Sequence, residues 1–122
     1  MGNVVILPWP PQVLSPNARP HWATKSKAAK GYRYRCFLEA KLAALAAPAG
    51  RVLLVLEFLP PSARRRDDDN LLAMFKAGRD GLADALGIDD SVFVSQVQIG
   101  AVRKGGAVRV TLLPFREVAC VD

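Results

Sequence analysis

Apolar residues recur along this chain at two different spacings, and the change from one to the other marks its elements. Val4-Val5-Ile6-Leu7 is a short, mostly β-branched run that stops at Pro8-Trp9-Pro10-Pro11, which no helix could continue, so it predicts a strand. Turn-forming residues in Ser15-Pro16-Asn17 and Pro20 make Gln12 to Trp22 a loop, with Thr24 as the expected cap of the helix that follows. Tyr34, Phe37, Leu38, Leu42 and Leu45 then return at helical intervals as one apolar face, and Pro48-Ala49-Gly50 ends the run. The first part of that helix, Lys25 to Lys30 with Gly31 after it, is polar and is expected to be held loosely until something anionic docks on it. Val52 to Leu59 is almost continuously apolar, the pattern of a central strand. Leu71, Phe75, Leu82 and Leu86 resume helical spacing and Gly87 closes the segment. Val92 to Val102 and Ala107 to Leu113, joined through Arg103-Lys104-Gly105-Gly106, predict a β-hairpin. The order β-α-β-α-β-β predicts one α/β (α+β) domain over residues 1–122, with helices packed on a mixed sheet.

At 122 residues the chain can remove roughly two-thirds of its unfolded surface from water, so its core needs no disulfide or structural metal. Cys36 and Cys120 stand far apart with no second pair near either, which argues against a disulfide framework or a zinc site and fits a reducing cytoplasmic setting. The apolar start is short and broken by prolines, so neither an export signal nor a membrane span is expected.

Charge changes the picture more than composition does. The net charge is +6. From Arg19 to Lys41 there are seven basic residues (Arg19, Lys25, Lys27, Lys30, Arg33, Arg35, Lys41) and one acid, Glu39. Yet seven of the eleven acids (Asp67, Asp68, Asp69, Asp80, Asp84, Asp89, Asp90) are gathered between Asp67 and Asp90. A basic chain that concentrates its acids in one segment suggests an anionic partner brought to an acidic centre.

Three successive aspartates repel: a carboxylate pair at about 4 Å costs roughly 4 kcal/mol at an effective dielectric near 20. A divalent cation relieves that. If the approach to the helix is extended, Asp67 and Asp69 face one side and Asp68 the other. Oxygen donors without His or Cys select a hard cation such as magnesium, which takes one or two carboxylates and leaves other positions to water and phosphate. Asp89-Asp90 could fold back to supply a third carboxylate, with Asp90 the better candidate. The plainer reading is that acids at a helix start complement its dipole and cap free N–H groups, worth about 0.3–1 kcal/mol each. Spacing alone leaves both readings open. A helix-loop-helix calcium loop is excluded, because Leu72 and Gly78 occupy the places of its glycine and glutamate.

On a continuous helix Lys76 rises along the same edge as Asp69, where an ammonium could stabilise charge developing on a phosphate; an i,i+4 pair with Asp80 is the modest alternative. Arg64-Arg65-Arg66 would grip flanking phosphates or simply neutralise the acids beside them. His21, the only histidine, can serve neither a His-based metal site nor a nucleophile–base set, so hydrolysis would rest on water activated by a bound ion.

Taken together, Leu7-Pro8-Trp9-Pro10-Pro11, Arg64-Arg65-Arg66-Asp67-Asp68-Asp69-Asn70 and Asp89-Asp90 resemble the RusA family of phage and prophage Holliday junction resolvases, over nearly the whole chain. The resemblance implies a symmetric homodimer that binds four-way DNA junctions and makes paired nicks with Mg2+, or Mn2+ in its place. It implies that Asp67, Asp69 and Asp90 carry the metal, and that Lys76 stands for a family lysine found four residues after the second aspartate. Here it stands seven after, about 4.5 Å further along a helix. Lys25, Lys27, Lys30, Arg33 and Arg64 to Arg66 would hold the junction arms. The rival expectations are a nuclease for flaps or other branched DNA, and a basic DNA-binding module without catalysis.

Overall fold

The computed structural model describes residues 2–116. Cys120 lies outside them. Strand β1 (Val4–Pro8) leads through a 3-10 turn at Gln12–Leu14 to helix α1 (Trp22–Leu42) and strand β2 (Val52–Leu59). Helices α2 (Asp68–Met74) and α3 (Lys76–Leu86) follow, and a second 3-10 turn at Asp90–Val92 opens strand β3 (Phe93–Ile99), with β4 (Ala107–Pro114) last. The fold is a single α+β domain built on a four-stranded mixed sheet in the order β1-β4-β2-β3.

β2 is central, as its apolar run predicts. It runs parallel to β3, with Val52 opposite Phe93, and antiparallel to β4, with Val52 opposite Pro114. Val52, Leu54, Leu56 and Phe58 point into the helix-covered core together with Val5, Leu7, Val108, Val110 and Leu112. The period of two therefore places one face of every strand under the helices.

The expected β3–β4 hairpin is not formed. The chain does reverse direction between the two strands, but β2 lies between them and pairs with both. A glycine-rich turn records where the chain turns back, not which strand it pairs with afterwards, and the long apolar β2 buries more by taking both neighbours. Within that connection Gly105 and Gly106 sit at φ 79° and 72°, and a Cβ on Gly106 would come within 2.9 Å of the Trp9 side chain. Both the left-handed backbone and the close approach require glycine there.

α1 differs from its predicted pattern in three ways. His21 caps it instead of Thr24, its Nδ1 accepting from the Ala23 N–H at 3.2 Å. The polar first part is continuous helix, and the helix ends at Leu42, ahead of Pro48, with Ala44 at φ 50°. Its buried stripe is Tyr32, Cys36 and Ala40, whereas Leu42 is 81% exposed and Tyr34 also faces outward, stacked on Phe37. The reason lies across the interface. Gly78 and Gly81 of α3 let the two helices approach so closely that compact side chains, rather than leucines, suit the contact.

The second predicted helix is two. Phe75 interrupts it with φ −84° and ψ −4°, and its N–H is shared between the Leu71 and Leu72 carbonyls at 3.1 and 3.2 Å. Phe75 is fully buried, edge-on to both Tyr32 and Phe58, so its ring is packed at the junction of α1, the sheet and the two short helices. Leu71 and Leu82 are buried as expected, and Gly87 closes α3 at φ 65°. No helix among the described residues is long and apolar enough to cross a membrane.

Candidate functional site

β2 delivers the chain to the sheet end from which Arg64, Arg65, Arg66 and the aspartates emerge. Asp67 caps α2 from an extended conformation, its Oδ1 accepting from the Asp69 N–H at 2.8 Å. Asp68 and Asp69 already belong to the first helical turn and are exposed. The alternation that would have put Asp67 and Asp69 on one side of an extended strand therefore does not operate. Helical geometry instead brings Asp67 together with Asn70, three residues on.

These two side chains share a groove of about 710 Å³ with Arg64, Arg65, Arg66 and Trp9. The arginines are not equivalent. Arg66 is pinned: Nη1 donates to the Ser62 and Arg64 carbonyls, each at 2.8 Å, Nη2 donates to Ser62 Oγ at 3.1 Å, and the guanidinium lies 5.5 Å from the Trp9 ring centre. Partial burial, with the positive charge of Arg64 next, lowers its pKa from the usual arginine value. Its donors hold the loop. Arg64 and Arg65 are exposed on the groove and make no ion pair among the described residues.

Asp90 stands in a different setting. Arg79 of α3 donates from Nη1 to Asp90 Oδ2 at 3.2 Å, and from Nη2 to the Asp90 and Phe93 carbonyls at 3.0 and 3.1 Å. Its Nε is buried without an acceptor, and the guanidinium lies 5.5 Å from the Phe93 ring centre. Arg79 thus ties α3 to the turn that starts β3. Sequence reasoning passed over it, although the signal was there. It falls four residues after Phe75 and three before Leu82, on the helix stripe that faces the core.

Lys76 pairs with Asp80 at 3.6 Å, the modest alternative considered for it, and the break at Phe75 removes the continuous helix that would have phased it with Asp69. Arg33 makes a two-point contact with Asp84, Nε to Oδ2 at 2.7 Å and Nη2 to Oδ1 at 2.9 Å, joining α1 to α3. That hydrogen bond and ion pair hold the Asp84 carboxyl below its ordinary range and raise the Arg33 guanidinium. Lys25, Lys27 and Lys30 are exposed on α1.

The chain is 50% identical over 118 residues to a protein of Xylella fastidiosa (strain Temecula1) described as an uncharacterized protein, the match covering 93% of this chain and 77% of the relative. The two belong to one family. No family model matches the chain.

The chemistry open to the chain follows from its donors. Among the described residues no three His, Cys, Asp or Glu side chains gather into a metal-holding group, and Asp90 is engaged by Arg79, so the three-aspartate set is not assembled. Asp67 keeps Oδ2 outside its capping bond, and the Asn70 amide stands beside it on the same groove. One carboxylate with a neighbouring amide oxygen suits a hydrated magnesium ion, which keeps several waters and completes its shell with substrate phosphate. The residues present fit a lightly held ion of that kind.

Proposed function

We propose that the chain is a magnesium-dependent endonuclease acting on branched DNA, four-way junctions foremost. The observation that carries this reading is the groove in which Arg64 and Arg65 face Asp67 and Asn70. Exposed guanidiniums grip phosphate oxygens in pairs, and doing so would bring a DNA backbone onto the one carboxylate and amide able to hold a hard cation beside it. Magnesium, when bound, supplies positive charge at the scissile phosphate and makes a water more acidic. Arg64 and Arg65 orient the strand, and Asp67 and Asn70 hold the ion. Lys76 contributes only by leaving Asp80, a pair worth a few tenths of a kcal/mol. Asp90 contributes only if Arg79 releases it. Paired nicks across a junction need two sites, so the working unit is a homodimer.

The test is cleavage of a synthetic four-way junction, a flap and a linear duplex by the full chain, with magnesium, manganese or EDTA. Metal-dependent nicking of the junction in preference to the duplex is the expected result. A second reading has its own support: the Asp67 cap and the Arg79–Asp90 pair give both acids a partner without any metal. Binding of all branched substrates with no cleavage under either metal would establish that reading, a DNA-binding module without catalysis.

A further inference from the structure

A second groove, of about 530 Å³, runs between the start of α1 and the α2–α3 break. Its floor is Ala29, Met74 and Ala77, its rim carries Lys25 and Lys76, and Trp22 stands at its mouth. Trp22 is 76% exposed in the first turn of α1, with its ring tilted 33° against His21 at 5.6 Å. Nothing else in the described chain covers it. Tryptophan brings the largest apolar surface of any side chain, and leaving it in water forgoes a stabilisation that burial would give. Ala29 and Ala77 leave a slot in front of the ring. Met74 also lines the arginine groove.

We propose that this groove is a stacking subsite for one unpaired base of a DNA strand whose phosphates lie across Lys25, Lys76 and the arginine groove. The substrate class rests on the nuclease reading; the subsite itself rests on the groove. An aromatic face over an apolar slot, rimmed by cations, matches what single-stranded nucleic acid offers: a flat base and a charged backbone. Lys25, which makes no ion pair among the described residues, leaves the rim net positive and favours an anionic ligand, while Asp80 is paired with Lys76. A fully paired duplex presents no free base face, so the subsite would select strands opened at a branch.

Binding is measured in EDTA at one fixed salt concentration, so that cleavage plays no part and the backbone term stays constant. The probes are a labelled single-stranded oligothymidylate and an abasic strand of the same length. Oligothymidylate should quench tryptophan emission in the unaltered protein, and in Trp22→Phe, which keeps most of the affinity, the quench should fall to what Trp9 in the arginine groove contributes. Trp22→Ala should bind oligothymidylate about 5- to 150-fold more weakly, the equivalent of about 1–3 kcal/mol for one stacked base, and bind the abasic strand almost unchanged. Both variants alter an exposed side chain, so folding is checked by circular dichroism without complicating the comparison. Equal affinity of Trp22→Ala for oligothymidylate overturns the proposal, as does an equal loss on the abasic strand. A protein that nicks junctions while Trp22→Ala behaves like the parent loses the subsite and keeps the nuclease reading. One that stacks a base on Trp22 yet never cleaves loses the nuclease reading and keeps the subsite.

Discussion

Replacing Gly81 by alanine should destabilise the fold, while the same change at Gly31 should stabilise it. Both glycines lie inside helices, where alanine is intrinsically favoured by about 1 kcal/mol. At Gly31 an added Cβ meets nothing within 4 Å, so that gain should be seen nearly whole. At Gly81 the same carbon would lie 2.2 Å from the Arg33 carbonyl oxygen and 3.2 Å from Cys36 Cβ. Real contacts of that kind exceed 3 Å, and the obstructing atom is backbone, so α1 and α3 would have to separate by the better part of an ångström. Overpacking of this sort costs about 1–3 kcal/mol and sometimes more. Separation would also strain the Arg33–Asp84 contact that crosses the same interface. The balance after the helix-propensity gain is a loss of up to about 2 kcal/mol, against a gain of up to about 1 for Gly31→Ala. Urea unfolding followed at 222 nm reads the difference directly. With a slope of about 1–3 kcal/mol per molar urea, the two midpoints should move in opposite directions and end roughly 1 M apart. If both variants shift upward together, the close contact between α1 and α3 is not what holds the layers in place.

Tyr32→Phe removes the O–H that donates to the Pro8 carbonyl at 2.6 Å and leaves that acceptor unmet, so it should cost about 1–2 kcal/mol in the same assay. Burial pushes the Cys36 thiol up to about 12, so in a Cys120→Ser protein it should resist an aromatic disulfide reagent at pH 8 and react fully once urea unfolds the chain. The Arg33 partner depresses the folded pKa of Asp84, so the unfolded chain binds more protons as the solution is acidified. That contribution is complete above the ordinary aspartate range and is lost as pH falls through the depressed folded value. Asp84→Asn should therefore flatten the acid limb of a stability–pH profile and leave its slope near neutrality unchanged. Asp67→Asn tests the site. Asn caps as well as Asp does, so stability should hold within about 0.5 kcal/mol, while magnesium-dependent nicking should fall at least about 100-fold if the carboxylate holds the ion. Unchanged cleavage removes Asp67 from the site.

Much of this fold was legible because burial imposes simple periods. The continuous apolar run from Val52 to Leu59 marked the central strand, and Gly87 marked the end of α3, since each local signal has one cheap structural answer. Strand order was not legible. The segments flanking Gly105-Gly106 look the same whether they pair with each other or with a strand slipped between them. The buried face of α1 was misplaced for a related reason. Tyr34, Leu38 and Leu42 have the spacing of a core stripe, but the partner helix presents glycines, and the contact goes to Tyr32, Cys36 and Ala40.

The candidate site shows the same division. That Asp67 to Asn70 open a helix beside an arginine-lined surface could be read from residue types. Which acids share a face could not, because that turned on where the helix starts and where it breaks. Helix begins at Asp68, so Asp67 is matched with Asn70 across one turn and not with Asp69 across a pleat. Phe75 then breaks the helix to bury its ring against Tyr32 and Phe58, and everything beyond it, Lys76 and Arg79 included, is phased by the packing of α3 on α1. Arg79 on that reset helix is what reaches Asp90. Two local events thus decide which charges meet: the helix start at Asp68 leaves Asp67 and Asn70 with the arginines, and α3, starting after Phe75, carries the Arg79 that takes Asp90. A substitution that lets the helix run straight through position 75 should break the Arg79–Asp90 pair and leave the Asp67 cap in place.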